Sequence, residues 1–338
     1  MKGIKLTRKS KIRILLAAVI AILVLIAAVL LASSLVGSVK LPMKYQNSLV
    51  YHSPDQAAMQ TRDSLASALC VGDNNVYNDQ IELTGTDKEH AALFDLDGKK
   101  VLFARGMYDR IYPASITKIM TAILALKSGK MGDVVTINWQ DVDLEAGSQV
   151  VGLRIGDKVK MTELLHGLLV HSGNDCAQAI ARHVGGSQQK FVDMMNEEAQ
   201  QLGCTGTHFV NPTGLHNENH YTTVYDIYLM LNQAVKDSEF STIMQVGVYD
   251  MTYTGADGSE KHVNLDATDQ FLTGESDPPK NVTVLGGKTG TTDAAGHCLA
   301  ILSQNAYGQP YISVVVGAAS VEGLYTDMNR LLSQLNPS

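Results

Sequence analysis

The hydrophobic period changes twice along this chain, and that order limits the folds open to it. Asp97-Gly98 separates two strand-like runs, 91–96 and 101–104, which is the pattern of a β-hairpin. From about 113 to 236 the spacing is helical. Ile116, Ile119, Met120, Ile123 and Leu124 share one face of a helix over 115–127, and Gly129 stops it. Thr162 starts another helix, Gly173 breaks it, and 174–184 restarts and ends at Gly185-Gly186. Ser187 and Thr223 stand where they would cap two more. Strand patterns return at 282–287, 297–302 and 311–316, and a last helix follows over 324–335. Strands flanking a block of helices predict an α+β fold. Its antiparallel sheet, flanked by helices, would carry a helical insertion, with the first hairpin pairing with the C-terminal strands.

With 45% of its 338 residues hydrophobic, the chain can bury a sizeable core, which excludes disordered and fibrous classes. Its charge is unevenly placed. Six basic and no acidic residues occupy positions 1–13; the remainder holds 21 basic against 34 acidic residues and is a poor partner for nucleic acid. An uncharged apolar run of nineteen residues, 14–32, follows the basic tail. About twenty such residues span a bilayer, and the flanking charges place the tail inside. Small residues near 32–38 keep a cleaved signal peptide open. The expected order is a cytoplasmic tail (1–13), a transmembrane signal-anchor (14–36), an extracytoplasmic stalk (37–87) and a folded domain (88–338). That describes a single-pass membrane protein with its body outside. Cys70, Cys176, Cys204 and Cys298 could pair there, but their spacing suits no zinc ribbon; structural or free thiols are expected.

Neither a His-Glu-x-x-His zinc motif nor a Gly-x-Ser-x-Gly elbow occurs. Gly287-Lys288-Thr289 imitates the end of a phosphate loop, but Val282 occupies the position of its opening glycine. His216, Glu218 and His220 invite a metal reading, yet they lie in a loop that would not align them, and no metal or cofactor is expected. Ser115-Ile-Thr-Lys118 is different. Residues three apart share a helix face, so hydroxyl and amine can meet. A serine needs a base, and lysine serves only when burial or a neighbouring cation keeps it neutral. Alone the pattern is weak, since Ser187-Gln-Gln-Lys190 repeats it as an ordinary cap. Ser172-Gly173-Asn174 follows at a helix break and Lys288-Thr289-Gly290 on a strand, and only this set occurs in that order on suitable elements.

Ser-x-x-Lys, a Ser/Asn motif and Lys-Thr-Gly together mark penicillin-binding proteins and class A β-lactamases. The chain resembles that superfamily. More narrowly it is similar to the serine-type D-alanyl-D-alanine carboxypeptidases, on Pro113-Ala-Ser-Ile-Thr-Lys118, His171-Ser-Gly-Asn174, Gly287-Lys-Thr-Gly-Thr-Thr292, and the stretch 211–215 with 220–223.

The resemblance implies a fold of the β-lactamase/DD-peptidase type and a set of roles. Ser115 would attack the carbonyl between two D-alanines, with Lys118 as general base. Ser172 would relay a proton to the leaving amine, and Asn174 would hold Lys118 and the substrate backbone. Lys288 would serve Ser172 and the terminal carboxylate. Thr289, Gly290 and Thr291 would form the strand against which the peptide lies, and the N–H groups of Ser115 and Thr291 the oxyanion hole. The implied partners are peptidoglycan stem peptides ending in D-Ala-D-Ala, β-lactams as covalent inhibitors, and the membrane. A transpeptidase or endopeptidase would keep every motif. A β-lactamase would need a deacylating Glu followed by Leu-Asn, whereas Glu218 precedes Asn219-His220. A penicillin sensor that acylates without turnover would need a cytoplasmic effector beyond the expected thirteen residues.

Overall fold

The computed structural model describes residues 68–85 and 88–336. The expected basic tail, membrane span and first part of the stalk lie outside the described residues. Among the described residues no helix is long and apolar enough to cross a membrane.

The first hairpin forms as β1 (His90–Asp95) and β2 (Lys100–Arg105). Two short strands, β3 (Val134–Thr136) and β4 (Lys158–Lys160), lie inside the helical block. β5 (Val248–Thr254) and β6 (Glu260–Asp266) follow it, and β7 (Thr283–Thr292), β8 (Gly296–Gln304) and β9 (Pro310–Ala318) come last. The main helices are α1 (Lys118–Lys127), α2 (Met161–Leu169), α3 (Asn174–Gly185), α4 (Gln188–Gln201), α5 (Val224–Ala234) and α6 (Val321–Leu332). Ser187 and Thr223 cap α4 and α5 by accepting from the N–H groups of Lys190 and Asp226, as their positions predict.

The main sheet runs β2-β1-β9-β8-β7 and is antiparallel, so the first hairpin does return to the C-terminal strands. Strand alternation divides its side chains between two cores. Ala92, Phe94, Ala300, Ile312 and Val314 face the helical block, while Ala91, Leu93, Leu299, Ile301 and Val315 pack under α6. A second sheet, β3-β4-β5-β6, was not read from the sequence. Two of its strands have three residues each, too short for alternation to register against the helical pattern around them.

The stalk boundary moves. Residues 70–85, assigned to the stalk, are folded onto the body. Val76 exchanges backbone hydrogen bonds with Ala104 at the edge of β2, and the buried Cys70 donates its N–H to the Tyr228 hydroxyl. Thr84 donates both its N–H and hydroxyl to Asp327 on α6. This segment extends an existing edge, so it needs no hydrophobic period of its own. All four cysteines are buried free thiols.

Candidate active site

Ser115 does not sit in an α-helix, as its spacing suggests. Ala114–Thr117 form a 3-10 turn, and Lys118 is the first residue of α1. In 3-10 geometry side chains three apart eclipse one another. Ser115 Oγ and Lys118 Nζ accordingly stand 2.8 Å apart. Ala114 enters the turn with φ of +48°, a costly left-handed conformation for a residue with a Cβ, held here by what packs around it. Lys118 to Ala125 are all buried, so α1 is the central helix and carries the lysine into the core.

Lys118 Nζ has two further oxygen partners, Asn174 Oδ1 at 2.7 Å and the Thr213 carbonyl at 2.8 Å. Neither oxygen can donate. A neutral amine has two hydrogens and one lone pair; giving the hydrogens to these oxygens leaves the lone pair for the Ser115 hydroxyl. The lysine is held well below its ordinary range, first by burial and then by the positive charge of Lys288. The geometry and the electrostatics therefore both favour a base.

The second motif occupies the break between α2 and α3. Ser172 adopts φ of +63°, and Asn174 opens α3. Asp175 beside it accepts the N–H groups of Val151, Gly152 and Leu153. Asn174 donates its own N–H to the Gln149 carbonyl. The loop carrying Ser148 and Gln149 is thereby tied to the site.

The third motif lies on β7. Lys288 is buried, with Nζ 2.9 Å from Ser172 Oγ and 3.0 Å from its neighbour's carbonyl, Thr289 O. Burial brings it down to about 7, against the pull of Asp269 in the other direction. Its charge is therefore sensitive to pH near neutrality when no anion faces it. Gly290 lets β7 lie flush against the serine turn, since a Cβ there would stand 2.9 Å from the Ser115 nitrogen. Thr289 shares a 2.5 Å hydrogen bond with Thr268, and Thr291 Oγ1 lies 3.2 Å from His297 Nδ1.

These elements surround one cleft of about 420 Å³. Of the residues expected in the site, Ser115, Ser172, Asn174, Thr289, Gly290 and Thr291 line it. Lys118 and Lys288 stand behind it, within hydrogen-bonding distance of the two serines.

Some contributors escaped the sequence reading. Thr213 acts through a carbonyl, which no side-chain motif encodes. It is positioned by Asn211, whose Oδ1 accepts from the N–H groups of Thr213 and Gly214. Gly214 has φ of +88°, and a Cβ there would fall 1.8 Å from the Ala114 carbonyl. His220 is committed within the protein. Nε2 lies 2.8 Å from Thr117 Oγ1 and Nδ1 accepts the Val210 N–H, while burial pushes the ring down to about 3. It joins this loop to the serine turn.

A reachable serine beside a lysine held well below its ordinary range, with a second serine–lysine pair across the cleft, is an arrangement suited to serine acyl transfer on an α+β fold. The family profile for D-alanyl-D-alanine carboxypeptidase matches residues 78–320, and the chain belongs to that family. It is 31% identical over 250 residues to the D-alanyl-D-alanine carboxypeptidase DacF of Bacillus subtilis, covering 73% of this chain and 61% of that one. It is 32% identical over 262 residues to DacC of Escherichia coli, covering 75% and 62%. The chain thus spans about three-fifths of the length of these relatives. The crystal structure of the Streptomyces K15 DD-transpeptidase superposes with a TM-score of 0.68 at 26% identity, over 76% of this chain and 98% of that one. A Mycobacterium tuberculosis D-alanyl-D-alanine carboxypeptidase gives 0.67 at 26%, over 78% and 97%.

Proposed function

We propose that this chain is a membrane-anchored serine D-Ala-D-Ala carboxypeptidase that removes the terminal D-alanine from peptidoglycan stem pentapeptides. The observation that carries this reading is Lys118 Nζ 2.8 Å from Ser115 Oγ, in a setting where burial and the charge of Lys288 hold the amine well below its ordinary range. Lys118 takes the hydroxyl proton as Ser115 Oγ attacks the carbonyl between the two D-alanines. The backbone N–H groups of Ser115 and Thr291 receive the oxyanion, a contribution of roughly 10²–10³ in rate per donor. Ser172, hydrogen-bonded to Lys288, relays a proton to the leaving D-alanine amine and is reprotonated by the proton Lys118 took from Ser115, so that Lys118 is again a base for the incoming water. Asn174 holds the peptide backbone while keeping Lys118 in place. Lys288, Thr289 and Thr291 receive the terminal carboxylate, whose negative charge raises the Lys288 proton affinity and restores the cation. Water then releases the shortened peptide from Ser115. β-Lactams enter the same acylation step as covalent inhibitors.

The basic tail and apolar run support a single-pass anchor over 14–36, with the folded body outside the cytoplasm. Fractionation and protease protection of the full chain in cells would test it: release into the medium as a shortened protein overturns the anchor.

A transpeptidase reading is favoured by one observation, the likeness to the structure named as a DD-transpeptidase. Supplying the full chain with a peptide ending in D-Ala-D-Ala separates the two. Free D-alanine without an added acceptor, abolished in Ser115→Ala, establishes the carboxypeptidase. Release only when an acceptor amine is present, with a new peptide product, establishes transfer. Neither release nor labelling of Ser115 by a penicillin overturns both.

A further inference from the structure

The chain has one tryptophan, and it is not in the core. Trp139 is 60% exposed, at the start of a single helical turn, Trp139–Val142. It borders a second cleft of about 700 Å³, larger than the catalytic one and sharing no lining residue with it. The floor of this cleft is stiff. Arg182 grips the fully buried Asp141 with two hydrogen bonds, at 2.9 and 2.7 Å, and donates a third to the Thr136 carbonyl. Asp141 in turn closes the Asn138 cap of the helical turn. Trp139 is therefore mounted on a braced element. Above the floor, Gln178 and Gln188 line the cleft, and their side-chain amides make no hydrogen bond to any described residue.

The chemistry of this surface is selective. The lining is mostly polar, which disfavours a lipid or apolar peptide. Its guanidinium is already paired to a carboxylate, and the exposed Asp143 opposes an anion. What remains is a flat apolar ring beside free amide donors and acceptors. A pyranose presents that complement: C–H groups on its face for an aromatic ring, and hydroxyl and acetamido groups on its rim for amides.

Position supplies the second argument. Asn174, Gln178 and Arg182 are successive fourth residues on α3, so they share a face. Asn174 belongs to the catalytic cleft, and Gln178 and Arg182 to the Trp139 cleft. At 1.5 Å per residue, Arg182 lies roughly 12 Å along the axis from Asn174. One rigid helix therefore connects the two clefts.

We propose that the Trp139 cleft is a carbohydrate subsite that takes an N-acetylhexosamine chain, so that the enzyme holds the glycan of its polymeric substrate while Ser115 works on the attached peptide. The choice of N-acetylhexosamine rests on the carboxypeptidase reading above; the presence of a saccharide site does not.

Because Trp139 is the only tryptophan in the sequence, emission excited selectively at tryptophan, clear of the 13 tyrosines, reports on this cleft. Titration with a tetramer of β-1,4-linked N-acetylglucosamine should give a saturable emission change. The change should persist in Ser115→Ala, and Gln178→Ala should weaken binding by about tenfold, the effect of one or two lost hydrogen bonds. The ratio of D-alanine released from intact sacculi to that from soluble pentapeptide should fall several-fold in Trp139→Ala. An emission that does not respond to the tetramer, with an unchanged ratio in Trp139→Ala, overturns the proposal even if D-alanine is released normally. A response to the tetramer without any D-alanine release keeps the saccharide site and overturns the carboxypeptidase reading instead.

Discussion

Lys118 Nζ lies 2.8 Å from Ser115 Oγ, and the two oxygens that complete its surroundings can accept but not donate. Among the described residues, no histidine or carboxylate hydrogen-bonds to the pair. Burial, then the charge of Lys288, holds the lysine well below its ordinary range against the weaker opposing pull of Asp175.

Replacing Lys118 by Met keeps the volume and apolar stem but removes the lone pair. Acylation by a fluorescent penicillin and release of D-alanine should both fall by about 10²–10⁴, the range of general-base contributions. Circular dichroism should be unchanged. A variant that acylates at the normal rate would remove Lys118 from the mechanism.

Lys288, brought down to about 7 by burial, loses its charge as pH rises through neutrality in the empty site. Binding of a peptide that ends in a carboxylate should weaken above about pH 7, so KM should rise while kcat changes less. In Lys288→Arg the cation does not titrate in this range, and that limb of the pH profile should disappear. An identical limb in the variant would assign it to another group.

Gly214→Ala would place a methyl 1.8 Å from the Ala114 carbonyl, at a φ of +88°. Backbone, not a flexible side chain, would have to move, and it is the backbone that precedes Ser115. Catalysis should drop by at least about tenfold, with a loss of roughly 1–3 kcal/mol in stability measured by denaturant unfolding.

Glu89 is raised to about 7, first by burial and then by Asp327 beside it. The unfolded chain releases this proton near 4.5, the folded one only near 7. The folded state thus binds the proton more tightly, and its advantage, fully present below about pH 4.5, is lost as pH climbs to 7. The melting temperature should decline across that window by several degrees, on the order of the linkage effect. Glu89→Gln, which cannot ionise, should flatten the decline.

The four buried thiols yield a simpler test. Burial pushes each of them up, well so for Cys176 and to about 12 for Cys298. None should react with a thiol reagent at neutral pH in the native protein, and all four should react after unfolding. Reducing agents should leave the melting temperature unchanged.

Much of the main sheet and the order of the motifs could be read from residues alone, because both depend on local patterns. Ala91 to Phe94 alternate between two cores, and a period of two is visible without knowing what covers either face. Ser115 and Lys118 are neighbours by spacing, and Ser172 and Lys288 are marked by residue type. Where no local pattern exists, the reading failed. The three-residue strands β3 and β4 are too short to show one, and residues 70–85 attach to an edge built by others. The Thr213 carbonyl belongs to every residue's backbone, so nothing in its side chain announces it.

Which groups could do the chemistry, and their order along the chain, is legible in the residues. Their electrostatic state is set by the fold. Lys118 and Lys288 are the same residue type, both are buried, and burial pushes both down; the charge of Lys288 adds to the fall of Lys118, whereas Asp269 opposes that of Lys288. That difference depends on which charge the fold brings beside each lysine, across 170 residues of chain in the first case, and it is not a property of the residues that carry it.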